Sequence, residues 1–191
     1  DHRVGRVIEL LEEKNQLENT IIIYTADHGE MHGHHGFWGK GLTAYEDCQK
    51  VPLLIRAPIL QNRTGKVDEI INTIDLPRFI LESAGIPVPQ GVQGCNLLGF
   101  LKGEQDQLRQ GTIIESNITN KVYQMTYVNK NSKIVVYRGE DWGELYDLKN
   151  DPDQYINLWD TDIELRTKML LEMTQQRMLD EGFAHPRKSF G

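Results

Sequence analysis

The groups able to do chemistry crowd into one stretch. From Thr25 to Lys40 the chain reads Thr-Ala-Asp-His-Gly-Glu-Met-His-Gly-His-His-Gly-Phe-Trp-Gly-Lys, and four of its six histidines (His28, His32, His34, His35) lie there beside Asp27 and Glu30. Carboxylate oxygens and imidazole nitrogens both bind divalent cations, so Asp27 and His28 form one candidate metal pair. A zinc site built from the later histidines is a second reading. His28 and His32 are four apart, but the glycines oppose the helix such a pair needs, and no His-Glu-x-x-His occurs. A solvated loop with incidental histidines is the third. The position of the stretch, directly after an apolar run and ending in Lys40, favours a site over a bare loop.

That apolar run is the element that must position the loop. Thr20-Ile-Ile-Ile-Tyr-Thr25 is β-branched and apolar on both faces, which predicts a central parallel strand. Five glycines between Ala26 and Gly41 then make a loop. Ahead of the strand, Val4, Val7, Ile8 and Leu11 fall on one face and predict a helix from about Arg3 to Lys14. Behind the loop come a short helix over Tyr45–Gln49 and a second strand, Val51–Arg56, with Pro52 near its start. A further helix is expected over Ile74–Ala84. Pro77 fits its first turn and Gly85 stops it. This rhythm is that of an α/β sheet.

From about Gln105 the texture changes. Thr112–Glu115, Lys121–Asn129, Lys133–Arg138 and Glu144–Leu148 are short strand candidates separated by tight turns, which predicts an antiparallel meander. Asn150-Asp-Pro-Asp153 reads as a turn. A terminal helix over Ile163–Leu179 should cover one face of the small sheet, with Leu165, Met169, Leu170 and Met173 at helical spacing. The expected organisation is therefore a large α/β part over residues 1–104 and a small α+β part over residues 105–191.

Composition narrows the function classes. The 191 residues are 39% hydrophobic and 26% charged, enough to bury a core. A net charge of −7 opposes a general nucleic-acid surface. The longest apolar runs are only a few residues, too short for a membrane-spanning helix, and no secretory leader is visible. Two cysteines, Cys48 and Cys95, are too few for a disulfide scaffold. Residue 1 is Asp and lies at once in an amphipathic pattern, which leads us to expect a segment of a larger protein.

The stretch Asn19–Gly41 closely resembles the second half of the sulfatase family, within the alkaline phosphatase superfamily. The likeness continues, in order, through Tyr45–Pro58, Thr73-Ile-Asp-Leu-Pro77, Ala84–Pro89, Gly91-Val-Gln-Gly94, and Leu145–Pro152 with Asn157-Leu158. The resemblance implies an alkaline-phosphatase-like α/β fold. It implies that Asp27 and His28 ligate a divalent cation, usually calcium. Lys40, thirteen residues after Asp27, would bind a sulfate oxygen and steady charge gathering on a sulfuryl group. His35 matches a histidine of the same loop and is grouped with Lys40 at the catalytic centre, chiefly as an organiser of the loop. Glu30, His32 and His34 would face substrate or solvent.

One departure bears on activity. Family members use a formylglycine made within Cys/Ser-x-Pro/Ala-x-Arg. Cys48 is followed by Gln-Lys-Val-Pro and Cys95 by Asn-Leu-Leu-Gly; neither fits, nor does any serine. The acidic pair of the family's N-terminal half is absent as well. The expectation is a C-terminal portion of a sulfatase that holds half of a metal site and no nucleophile, inactive alone, with formylglycine in the N-terminal half. Its substrate would be a sulfate ester, a sulfated sugar being the commonest kind. Apolar surface on Thr20–Tyr24 and the first helix would favour self-association. The alternatives are a phosphonate or phosphate ester hydrolase of the same superfamily and a non-catalytic binding or assembly module.

Overall fold

A computed structural model of the chain describes residues 1–41, 43–60, 64–119 and 122–181. The order is α1 (His2–Glu13), β1 (Ile22–Thr25), α2 (Glu46–Gln49), β2 (Leu53–Arg56), α3 (Asp75–Ser83), α4 (Leu97–Lys102), β3 (Gly111–Thr119), β4 (Val122–Asn129), β5 (Ser132–Tyr137), β6 (Gly143–Asp147) and α5 (Ile163–Glu181). Lys121, the expected first residue of the second meander strand, lies outside the described residues.

The first sheet corrects one expectation. β1 and β2 pair antiparallel, from Ile22 opposite Arg56 to Thr25 opposite Leu53. An apolar run carries no information on strand direction, so the inferred parallel pairing did not follow from it, and only one face of the run is covered. Ile21, Ile23 and Ile55 pack on a buried cluster of Ala57, Phe79, Leu97, Leu98, Phe100 and Leu101. The other face is open: Tyr24 and Leu54, directly opposite each other, are exposed, as are Val7 and Leu10 of α1.

A buried carboxylate ties this cluster together. Asp75, at the start of α3, accepts from Asn72 N at 2.8 Å and Cys95 N at 2.7 Å and pairs with Arg109. A buried charge needs such saturation to be tolerated. Asn96 caps α4 by accepting from Gly99 N at 2.8 Å. Gly103, at φ 80, ends the helix in the left-handed region.

The second sheet is an antiparallel meander in the order β3-β4-β5-β6. Ile113, Tyr127, Ile134 and Leu145 form one cross-strand row. They meet Met169 and Met173 of α5, so the helix covers that face as the spacing predicts. Each fully buried side chain of this size contributes about 1.5–3 kcal/mol. Period-2 alternation sends Gln124, Thr126, Lys133, Glu144 and Tyr146 to the opposite face. Among the described residues, no helix is long and apolar enough to cross a membrane.

Candidate anion and metal site

The loop after β1 brings together three of the four residues singled out from the sequence. Asp27 follows the strand by two residues, and its Oδ1 accepts from His28 N at 3.1 Å. Its carboxylate is 86% exposed, and Oδ2 lies 3.5 Å from His28 Nε2. Lys40 Nζ stands 2.7 Å from the same Nε2. On its other side, His28 Nδ1 is 2.7 Å from Gly29 O. A carbonyl only accepts, so Nδ1 carries the proton and Nε2 presents a lone pair. That lone pair, the Asp27 carboxylate and the Lys40 ammonium share one open spot.

Gly29 sets this geometry. Its N donates to Cys48 O at 2.8 Å, and a Cβ there would stand 1.7 Å from Asp47 O. Only glycine allows α2 to approach so closely behind His28.

His35 stands apart from the three. Its Nε2 donates to Asp153 O at 2.8 Å, and its ring stacks on Tyr45 with centroids 3.9 Å apart. The residue sits at φ 51, in the left-handed region, which a non-glycine adopts only when its surroundings hold it. His34, expected to face substrate or solvent, is half-buried and held by two side chains. Its Nδ1 donates to Asp47 Oδ2 at 2.7 Å, and its Nε2 is 3.0 Å from the Tyr155 hydroxyl. Both histidines thus join the loop to the segment after β6. His32 is exposed and Glu30 half-buried.

The donor set fits a divalent cation in part. Asp27 supplies a carboxylate suited to a hard ion; the His28 Nε2 lone pair takes an N–H of Lys40 in this structure, so a cation would have to displace Lys40 to use it. Calcium takes about six to eight ligands. No group of three or more His, Cys, Asp or Glu able to hold a metal occurs among the described residues. Asp27 and His28 are therefore a minority of such a shell.

Behind the loop lies a polar layer that sequence reasoning missed. Lys133 of β5 is fully buried, donating to Ala44 O at 2.7 Å and pairing with Glu46 Oε1 at 2.6 Å. Burial pushes its pKa down, and the Glu46, Glu144 and Asp47 carboxylates oppose that shift. Gln154, also buried, accepts from Glu46 N at 2.7 Å, and Gln49 donates to Thr126 at 3.2 Å. Glu144 accepts from the Tyr137 and Tyr146 hydroxyls; burial and that carboxylate push both phenols well up. In the sequence, Lys133 resembles any solvated strand lysine, and nothing links it to Glu46.

The family model for the C-terminal part of N-sulphoglucosamine sulphohydrolase matches residues 33–180. The chain is 35% identical over 174 residues to the uncharacterized sulfatase YidJ of Escherichia coli (strain K12), covering 88% of this chain and 34% of that protein. Its fold matches a protein solved in complex with its substrate D-glucosamine-2-N,6-O-disulfate, at 26% identity and a TM-score of 0.78, over 95% of this chain and 38% of that one. It also matches the phosphonate monoester hydrolase of Silicibacter pomeroyi, at 28% identity and a TM-score of 0.81, over 93% and 38%. The chain spans roughly a third to two fifths of the length of the first curated relatives it matches.

Proposed function

The chain belongs to the sulfatase family, as a match to its C-terminal region, and on that premise we propose that it forms one side of the active site of a sulfuric ester hydrolase. The observation that carries the reading is the convergence of Asp27, His28 and Lys40 at the end of β1, with Lys40 Nζ 2.7 Å from His28 Nε2. Lys40 offers a compact positive charge to the oxygens of a sulfuryl group. Asp27 and His28 would hold a divalent cation, calcium by family resemblance, with Lys40 turned from Nε2 to the anion, and that ion would supply Lewis-acid stabilisation to those oxygens. The Nδ1–H bond to Gly29 keeps the His28 lone pair turned to that spot. His35 organises the loop through Asp153 and Tyr45. No residue of this chain lies in a formylglycine-forming motif, so the nucleophilic step is assigned to none of its side chains.

The substrate class we infer is a sulfated sugar, supported by the relative solved with a glucosamine disulfate. A second reading, a phosphonate ester hydrolase, is favoured by the fold match to the phosphonate monoester hydrolase. Both groups carry anionic oxygens that Lys40 could meet. The test is a paired assay of the native gene product carrying this chain on a sulfate ester and a phosphonate ester with the same leaving group. Higher kcat/KM on the sulfate ester is expected; preference for the phosphonate ester overturns the reading in favour of the second.

A further inference from the structure

A buried lysine is costly unless its ammonium is paired, and an apolar side chain would fill the same space more stably. Lys133 is buried to 0% exposure at the middle of the meander, on the face turned away from α5. Its two acceptors, Ala44 O and Glu46 Oε1, belong to the segment that follows Lys40 by four to six residues. Gln154 fixes the backbone of the same Glu46, and Thr126 accepts from Gln49 at the far end of α2. The sheet thus grips α2 at both ends. α2 grips the site in turn: Cys48 O accepts from Gly29 N, and the Asp47 carbonyl lies against the Gly29 Cα. Gly29 adjoins His28, whose Nε2 meets Lys40.

We propose that Lys133 is a positioning residue for the anion site: through Ala44, Glu46 and α2 it sets where His28 and Lys40 stand, without touching substrate itself. The inference rests on the reading of Asp27, His28 and Lys40 given under Proposed function. It assigns a role to the polar face of the C-terminal sheet, which registers the catalytic loop.

The experiment is a double-mutant cycle in the native gene product, read as kcat/KM on a sulfate ester and as the inhibition constant of inorganic sulfate. The inhibition constant does not depend on the fraction of protein that is folded, so a purely structural loss leaves it unchanged. Lys133→Met should lower kcat/KM by about ten- to a hundredfold, as a misplacement near 1 Å does, and should weaken sulfate inhibition. In a Lys40→Ala background the same substitution should cost several-fold less than in the native protein, because one of the two groups it positions is gone. Lys133→Arg, which keeps the charge, should recover part of the loss. Full multiplication of the two losses, or an unchanged sulfate constant in Lys133→Met, overturns the proposal. Should Lys133→Met not fold, Glu46→Gln carries the same cycle, since Glu46 is partly exposed and the variant leaves Lys133 a neutral acceptor; multiplicative losses there overturn it equally. A Lys40→Ala variant with undiminished activity would instead sink the sulfuryl-site reading and leave the anchoring to be judged by loop structure.

Discussion

The two faces of the C-terminal sheet are built from the same strands and do opposite work. Towards α5, Tyr127, Ile134 and Leu145 meet Met169 and Met173 in an apolar layer that asks only for volume and close packing. Towards the loop, Gln124, Thr126 and Lys133 are just as buried, yet polar. Thr126 accepts from Gln49, and Lys133 donates to Ala44 O and pairs with Glu46, whereas Gln124 Oε1 meets no partner among the described residues; each polar group left unmatched costs about 1–3 kcal/mol. An apolar face tolerates substitutions of similar size. A polar face fixes one arrangement, and here that arrangement is the seat of the loop bearing Asp27, His28 and Lys40.

This contrast is most sharply tested where activity and stability separate. Asp27→Ala removes an exposed carboxylate from the proposed cation pair. It should lower sulfate-ester turnover on the order of 10³-fold, equivalent to several kcal/mol of lost charge stabilisation, while the urea midpoint stays put. Chelation of the native protein should do the same and added calcium should reverse it. A fall in the midpoint that matches the loss of turnover would mean that Asp27 is structural.

The apolar face should show the reverse behaviour. Met169→Ala empties a fully buried position and should cost about 2–5 kcal/mol of stability, measured by urea unfolding, with turnover per folded molecule unchanged. If turnover per folded molecule also fell by tenfold or more, the two faces would not be separable.

Much of this division was legible in the sequence. Alternation marked the meander, and Met169 and Met173 marked the buried stripe of α5, because period is a local signal. Asp27, His28 and Lys40 were legible through the glycine-rich loop and the family likeness. The rest depended on long-range pairing. Lys133 and Ala44 are separated by 89 positions, and an isolated strand lysine carries no mark of what it will meet. His34 looked solvated because its partners, Asp47 and Tyr155, lie elsewhere in the chain. α4 was missed since Leu97 to Leu101 are buried all round, which erases the one-sided pattern of a surface helix.

A smaller effect, of pH, acts on both faces. Burial, with the Glu172 carboxylate, raises Tyr127 from its ordinary value near 10 to about 12. The fold therefore holds that proton more tightly than the unfolded chain does. Its contribution is complete below about pH 10 and is lost as pH rises towards 12. Tyr137 and Tyr146 on the loop side shift the same way. Lys133, with its pKa lowered, opposes them as pH rises towards the unfolded lysine value near 10.5. Tyr123 and Lys130 are raised as well, so with four phenols and one lysine raised against one lysine lowered, urea midpoints should fall above pH 10. Tyr127→Phe should flatten that fall slightly, and Tyr146→Phe should flatten it as well; midpoints level to pH 11 would contradict the buried-phenol account.

The central claim is that Lys40 belongs to an anion site held in place by the loop. Its most direct test is the inhibition constant of inorganic sulfate for the native gene product and its Lys40→Ala variant, with urea midpoints measured alongside. Loss of one charge-assisted contact, about 1.5–3 kcal/mol, predicts roughly ten- to a hundredfold weaker sulfate binding at an unchanged midpoint. Equal sulfate constants in the two proteins would contradict the account.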